Sequence, residues 1–257
     1  MANPNKRITG LALKVGPLGE NDRLITILTE HEGILKFAIP GARRPKSSLS
    51  ATSPLTLLEL DVVGRRSLKK VKQIKILKSF SKIGKELDAL AAAQAIVEIC
   101  LMTIGNSDPN PSLLEIILLH LSRLECINKK NDDSSYILAV SVQSCIHLFA
   151  LSGYSIPLHI CSRSGEPLVP PIGDWGWRCS LLPDEGIIEG AFSNADIQLN
   201  PSELALLQRL TQPHLPYSKN GLIMGPKYVW LKFIKVIQSW ARFNIGQEIN
   251  SLKMIDI

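Results

Sequence analysis

Aromatic residues are scarce, at 5% of the 257-residue chain, and all four Trp and all four Tyr lie beyond residue 130. The first eighty residues offer only Phe37 and Phe80, a thin platform for stacking unpaired bases. Sequences of the forms G-x-x-x-x-G-K-[ST] and G-x-G-x-x-G are missing, which leaves nucleotide hydrolysis and dinucleotide binding without a seat. G-x-S-x-G and H-E-x-x-H are missing as well. His31-Glu32 falls in a polar turn between two strands, and His120 and His147 fall inside apolar helical stretches. The neighbouring acids Asp132-Asp133 and Asp184-Glu185 point apart, so they make poor acid–base pairs. No catalytic residue is assigned.

Long apolar runs are missing too. The greasiest stretch, 87–104, carries Asp88, Gln94 and Glu98 and reads as a buried helix. The chain opens with polar residues and no secretory apolar region. Its five cysteines, at 100, 126, 145, 161 and 179, are odd in number and widely spaced, as expected of reduced thiols in the cytosol. An apolar fraction of 45% excludes a disordered chain.

What is present is unevenly placed charge. The net +6 and pI near 9.1 divide sharply at residue 80. Residues 1–80 hold 15 Lys+Arg against 6 Asp+Glu, a net of +9, and residues 81–257 carry −3. A basic module beside a mildly acidic body points to nucleic acid or an acidic membrane surface. The plainer alternative is a small β-domain that solvates its faces with lysine.

Periodicity changes at the same place. Segments 8–15, 23–29, 34–39, 55–63 and 70–80 read as strands punctuated by Gly and Pro. Five short strands suit an OB-fold barrel. Beyond residue 80, helices are expected over 86–104, 113–126, 134–151, 201–210 and 227–244. Asn110-Pro111, Asp133 and Asn200-Pro201-Ser202-Glu203 start three of them, and Gly153 sits at a C-terminal cap. The helices of 86–152 and 200–246 are expected to form one bundle around a Pro/Gly-rich insertion at about 157–195, with weak strand signals at Ile187-Ile188-Glu189 and Phe192. The fold class is therefore α+β: an OB-fold domain over 1–80 and a helical domain over 81–257.

The informative loop is Pro40-Gly41-Ala42-Arg43-Arg44-Pro45-Lys46-Ser47-Ser48-Leu49-Ser50. Its cations supply phosphate contacts, and its hydroxyls and amides add neutral donors. Arg65-Arg66 with Lys69-Lys70 form a second cluster at the next turn, and Arg23 adds a further charge. Loops at one end of a small barrel can join such clusters into one electrostatic track. Two unrelated solvated turns remain the alternative. With so few aromatics, binding is expected to be led by the backbone and to depend on salt.

The run Leu18-Gly19-Glu20-Asn21-Asp22, the turn Thr29-Glu30-His31-Glu32-Gly33 and the loop Gly41-Ala42-Arg43-Arg44-Pro45-Lys46-Ser47 resemble the N-terminus of the RecO family of bacterial recombination mediators. The likeness continues through 55–60, 91–98 and Leu151-Ser152-Gly153-Tyr154 before a Cys. It implies an OB-fold that binds single- and double-stranded DNA, followed by a helical domain. It also implies annealing of complementary strands, and partnership with RecR, with the acidic tail of single-stranded DNA-binding protein (SSB) and with the RecA pathway, in the cytoplasm at the nucleoid. DNA contact carries over by motif position to Arg43, Arg44, Lys46 and Ser47. For Arg23, Arg65, Arg66, Lys69 and Lys70 it rests on charge alone.

Some members of that family hold zinc through two C-x-x-C pairs in the helical half. Here Ser164 follows Cys161 and Leu182 follows Cys179 at the partner positions, a degenerate zinc-finger-like insertion. Two thiolates cannot fill a tetrahedral structural site. No metal and no cofactor are expected, and Pro40 stands where the family often has a basic residue. A basic pocket for an acidic protein tail is sought at Lys227, Lys232, Lys235 and Arg242 around Trp230 and Phe233, with a plain core stripe as the alternative. Two other readings stay open: an RNA- or ribosome-associated OB module, and a metal-free hydrolase with a scattered site.

Overall fold

The computed structural model describes residues 6–50, 52–64, 68–105, 110–127 and 135–255. They fall into two compact units: those up to Lys85 together with those of 104–122, and those of 86–103 together with those from Arg123 onward.

The first unit is built on five strands, β1 (Lys6–Leu18), β2 (Asp22–Thr29), β3 (Ile34–Ile39), β4 (Thr56–Val63) and β5 (Lys69–Ser79). They close into a barrel in the order β1-β2-β3-β5-β4, with β4 pairing back onto β1. This is the five-stranded OB-fold that the strand count and turn spacing predict. Inward positions follow the two-residue pleat. Leu58, Leu60 and Val62 of β4 are buried and join Ile8, Ile25, Ile27, Phe37, Ile39 and Val71 in one core. The seam between β3 and β5 is parallel and short, formed by Phe37↔Lys69 and Ala38↔Lys70. In β5 the alternation is broken twice, because the register against β4 shifts between Asp61 and Val62 and again between Leu57 and Leu58. These irregularities behave as β-bulges, which turn lysines that a strict period would place inward. A short 3₁₀ turn, Ser81–Lys85, ends this part of the chain.

The second unit holds α1 (Leu87–Thr103), α3 (Ser135–Leu151), α4 (Pro201–Arg209) and α5 (Lys227–Asn244), with α3 packed against both α1 and α5. The start and stop signals act as the sequence predicts. Asn200 and Glu203 form a reciprocal capping box at α4, each side chain accepting the other's backbone N–H at 2.9 Å. Gly153, at φ +82, lets the Tyr154 amide return to the Phe149 carbonyl at 2.8 Å and close α3. The expected cap at Asp133 lies outside the described residues. The helix between, α2 (Pro111–Glu125), corrects the expectation of a single bundle, since residues 104–122 group with the barrel. There Lys78 Nζ donates to Ser122 Oγ at 3.0 Å.

The insertion contains a three-stranded sheet, β7-β6-β8, from β6 (Cys179–Leu182), β7 (Gly186–Glu189) and β8 (Ile197–Leu199). Only β7 announces itself in the sequence, and Phe192 lies outside any strand. Among the described residues, no helix is long and apolar enough to cross a membrane.

Candidate nucleic-acid interface

The basic loop between β3 and β4 is a chain of turns. Arg44 N–H donates to Gly41 O at 3.0 Å, Ser47 N–H to Arg44 O at 3.3 Å, and Ser50 N–H to Ser47 O at 3.1 Å. Ala42 is buried in the barrel core and Leu49 packs against it. The two apolar residues anchor the loop, and the exposed Arg43, Arg44 and Lys46 are held outward. Gly41 sits at φ +65, a conformation glycine takes without penalty, and its amide donates to Asp22 Oδ1 at 2.8 Å. Arg43 reaches the β1–β2 turn twice, through its amide to Asn21 O at 2.9 Å and through Nη1 to Gly19 O at 3.0 Å. Lys46, at φ +61, is strained for a residue with a side chain.

Arg23 has a structural part in this arrangement that its charge does not announce. It is half-buried, and its Nη1 donates to the carbonyls of Ser50 at 3.0 Å and Thr52 at 3.3 Å. It braces the far end of the loop. Arg65 and Arg66 lie outside the described residues. Lys70 is exposed beside Ala38, whereas Lys69 is half-buried and shares the register of core residue Phe37.

Two lysines that sequence reasoning missed complete the surface. Lys14 pairs with Thr26, and Thr26 pairs with Lys36, so the two cations flank one position across β1, β2 and β3. Both are exposed. The next row runs Gly16, Leu24, Ala38 and Lys70. Lys14, Lys36 and Lys70 therefore share the outer face of the sheet over a floor with two small residues, Gly16 and Ala38, and the loop follows directly from β3. Lys14 and Lys36 are each isolated in sequence; only strand parity and register could have grouped them with Lys70.

Three acids of this unit are engaged elsewhere. Lys6 Nζ meets Glu32 at 2.6 Å, and Arg7 lies 3.4 Å from Asp61 and 3.9 Å from Glu59. Among the described residues, no carboxylate lies within ion-pair reach of Lys14, Lys36, Arg43, Arg44, Lys46 or Lys70. Phe37 and Phe80 are buried at 2% and 1% exposure, so neither can stack a base. What remains is a surface suited to phosphates.

The partner pocket expected on α5 is corrected. Trp230 and Phe233 are wholly buried and meet edge to face at 5.6 Å. The stripe is core, because α5 turns its apolar face inward. Lys232 pairs with Glu203 at 2.6 Å and Arg242 with Glu248, while Lys227 and Lys235 stay exposed.

In the insertion, Cys161 is 4% exposed. Burial pushes its thiol up, but donors from the Ser164 hydroxyl and the Glu189, Ser164 and Arg163 amides outweigh this and bring it to about 7. Ser164 stands where a second thiolate would be needed to bind an ion. Among the described residues, no three His, Cys, Asp or Glu side chains are grouped to hold a metal. The residues present do not fit zinc.

Comparison with known proteins matches residues 1–80 to the family described as Recombination protein O N terminal, and residues 84–253 to Recombination protein O C terminal. The chain is 51% identical over 251 residues to "DNA repair protein RecO" of Prochlorococcus marinus (strain MIT 9313), covering 97% of this chain and 94% of that protein. It is 51% identical over 252 residues to the protein of the same description from Synechococcus sp. (strain WH7803), covering 98% and 93%. A relative from Nostoc punctiforme is 30% identical over 291 residues, covering 97% and 95%.

Proposed function

Because the chain belongs to the recombination protein O family of DNA repair proteins, we propose that it acts as a DNA-binding mediator of recombinational repair that contacts the phosphate backbone of single and double strands. A role in DNA repair and recombination follows from the family. The observation that carries the finer reading is the unpaired basic surface of Lys14, Lys36, Lys70, Arg43, Arg44 and Lys46 on a barrel whose aromatics are buried.

The mechanism is electrostatic. Each phosphate neutralised releases a condensed counterion, so binding is driven by the entropy of released salt. Two strands held on a cationic surface repel each other less, which favours annealing. The loop needs little ordering on binding, since Asp22, Arg43, Arg23, the buried Ala42 and the partly buried Leu49 already hold it. The role is non-catalytic and needs neither metal nor cofactor. RecR, the SSB tail and the RecA pathway are the proposed partners, at a cytoplasmic, nucleoid-associated location, with no pocket residues assigned.

The test is binding and annealing of complementary oligonucleotides by the purified chain and by an Arg44→Glu/Lys46→Glu variant. Loss of both activities in the variant supports the reading. Full annealing by the variant contradicts it, and a strong preference for RNA would favour the RNA-associated alternative.

A further inference from the structure

Residues 204–247 contain six cations and no Asp or Glu, although the chain beyond residue 80 carries a net −3. Two of the six are neutralised from outside the segment, Lys232 by Glu203 and Arg242 by Glu248. Among the described residues, Arg209, Lys219, Lys227 and Lys235 are exposed with no carboxylate in ion-pair reach. Lys219 lies at the tip of a hairpin closed by Ser218 N–H to Leu222 O and Met224 N–H to Pro216 O, both at 2.8 Å. Lys227 is the first residue of α5.

The same place has the exposed aromatics that the barrel lacks. Tyr217 is 47% exposed and bridges to Ile223 on the hairpin, and Tyr228, in the first turn of α5, is 69% exposed. The N-cap of α5 is Pro226, which offers no side-chain acceptor to the first-turn amides. Beneath it, Trp230 Nε1 is buried without a hydrogen-bond partner. That nitrogen lies 3.7 Å from the point a Cβ would occupy on Gly225, so it faces the backbone at the entrance to the helix. An unsatisfied donor under an uncapped helix start adds to a positive potential that favours an incoming anion.

We propose that the 216–224 hairpin and the first turn of α5 form a second contact for single-stranded nucleic acid. Tyr217 and Tyr228 stack on unpaired bases, and Lys219, Lys227 and the α5 amides hold the phosphates between them. Aromatic faces beside uncompensated cations are the combination that sequence-tolerant single-strand binding uses. An acidic peptide fits less well, because the apolar side chains that would floor its pocket, Trp230 and Phe233, are inside the core. The identity of the polymer rests on the nucleic-acid reading of the barrel; the site itself does not.

The test uses the full chain with fluorescein-labelled oligothymidine, a labelled duplex and a labelled oligoaspartate. The Tyr217→Ala/Tyr228→Ala variant should lose about tenfold in affinity for oligothymidine and keep its affinity for duplex, whose bases are already stacked. Photocrosslinking to 5-iododeoxyuridine in a single strand should map to the peptide containing Tyr228. Unchanged oligothymidine binding in this variant, alongside loss in Arg44→Glu/Lys46→Glu, overturns the second contact and leaves the barrel reading standing. If the unmodified chain binds neither DNA, both fail. If Lys219→Glu/Lys227→Glu abolishes oligoaspartate binding and spares oligothymidine, the surface is a peptide site and the proposal is wrong.

Discussion

The Gly41 amide donates to the Asp22 carboxylate at 2.8 Å, so the most basic loop of the protein is anchored by an acid. Charge counting predicts that removing Asp22 would strengthen DNA binding by raising the local potential. The geometry predicts the reverse. Asp22→Ala should cost about 1–3 kcal/mol of stability and weaken binding as the loop loses its tether. Asp22→Asn, which keeps an acceptor, should fall between. Thermal melts and DNA titrations of both variants check this.

Lys46 separates charge from backbone strain. Its φ of +61 costs a residue with a side chain about 1–2 kcal/mol. Lys46→Gly removes the strain and the charge together. Stability should hold or rise while affinity for DNA falls, and a fall in both would show that the Lys46 side chain supports the loop.

Lys14 and Lys36 should bind DNA although nothing in the local sequence marks them. Lys14→Ala/Lys36→Ala removes two exposed charges without touching the core. The slope of log affinity against log salt should fall by about 1.4 for single strands, at roughly 0.7 per phosphate contact. Near-unchanged melting temperatures in the same variants would show that the loss is one of contact.

Acid sensitivity should trace in part to His147. Its Nε2 donates to the Leu210 carbonyl at 2.9 Å, and burial holds the imidazole below its ordinary value of 6.5. The unfolded chain therefore binds this proton more readily than the folded one. The contribution is complete above about pH 6.5 and is lost as pH falls through the window below it. His147→Gln should flatten the loss of stability between pH 7 and 5, measured by urea titration.

Zinc should be dispensable. With Ser164 in the place of a second thiolate, EDTA should leave the melting temperature unchanged. A chelator-induced drop would contradict this account of the insertion.

The barrel was legible wherever one rule governed a strand. In β4 the buried Leu58, Leu60 and Val62 alternate as the pleat requires. β5 was less legible, because its two bulges depend on its pairing with β4 and leave no local mark. β8 is too short for a period to show, and β6 lacks the β-branched pair that marks β7. The loop was visible as composition, but the bracing of its far end by Arg23 was not, since the acceptors lie 27 and 29 residues away. For Trp230 and Phe233 the plainer reading of an amphipathic stripe, that its apolar face is core, is the one the structure shows. Lys14 and Lys36 became neighbours only through strand register.

The most direct measurement is the salt dependence of DNA affinity for Arg44→Glu/Lys46→Glu against the unmodified chain. Both side chains are exposed and neither holds the loop through a side-chain hydrogen bond. A steep slope in the unmodified chain, reduced by at least about 1.4 in the variant, is the expected result. An equal slope and equal affinity in the two would show that DNA does not meet this surface.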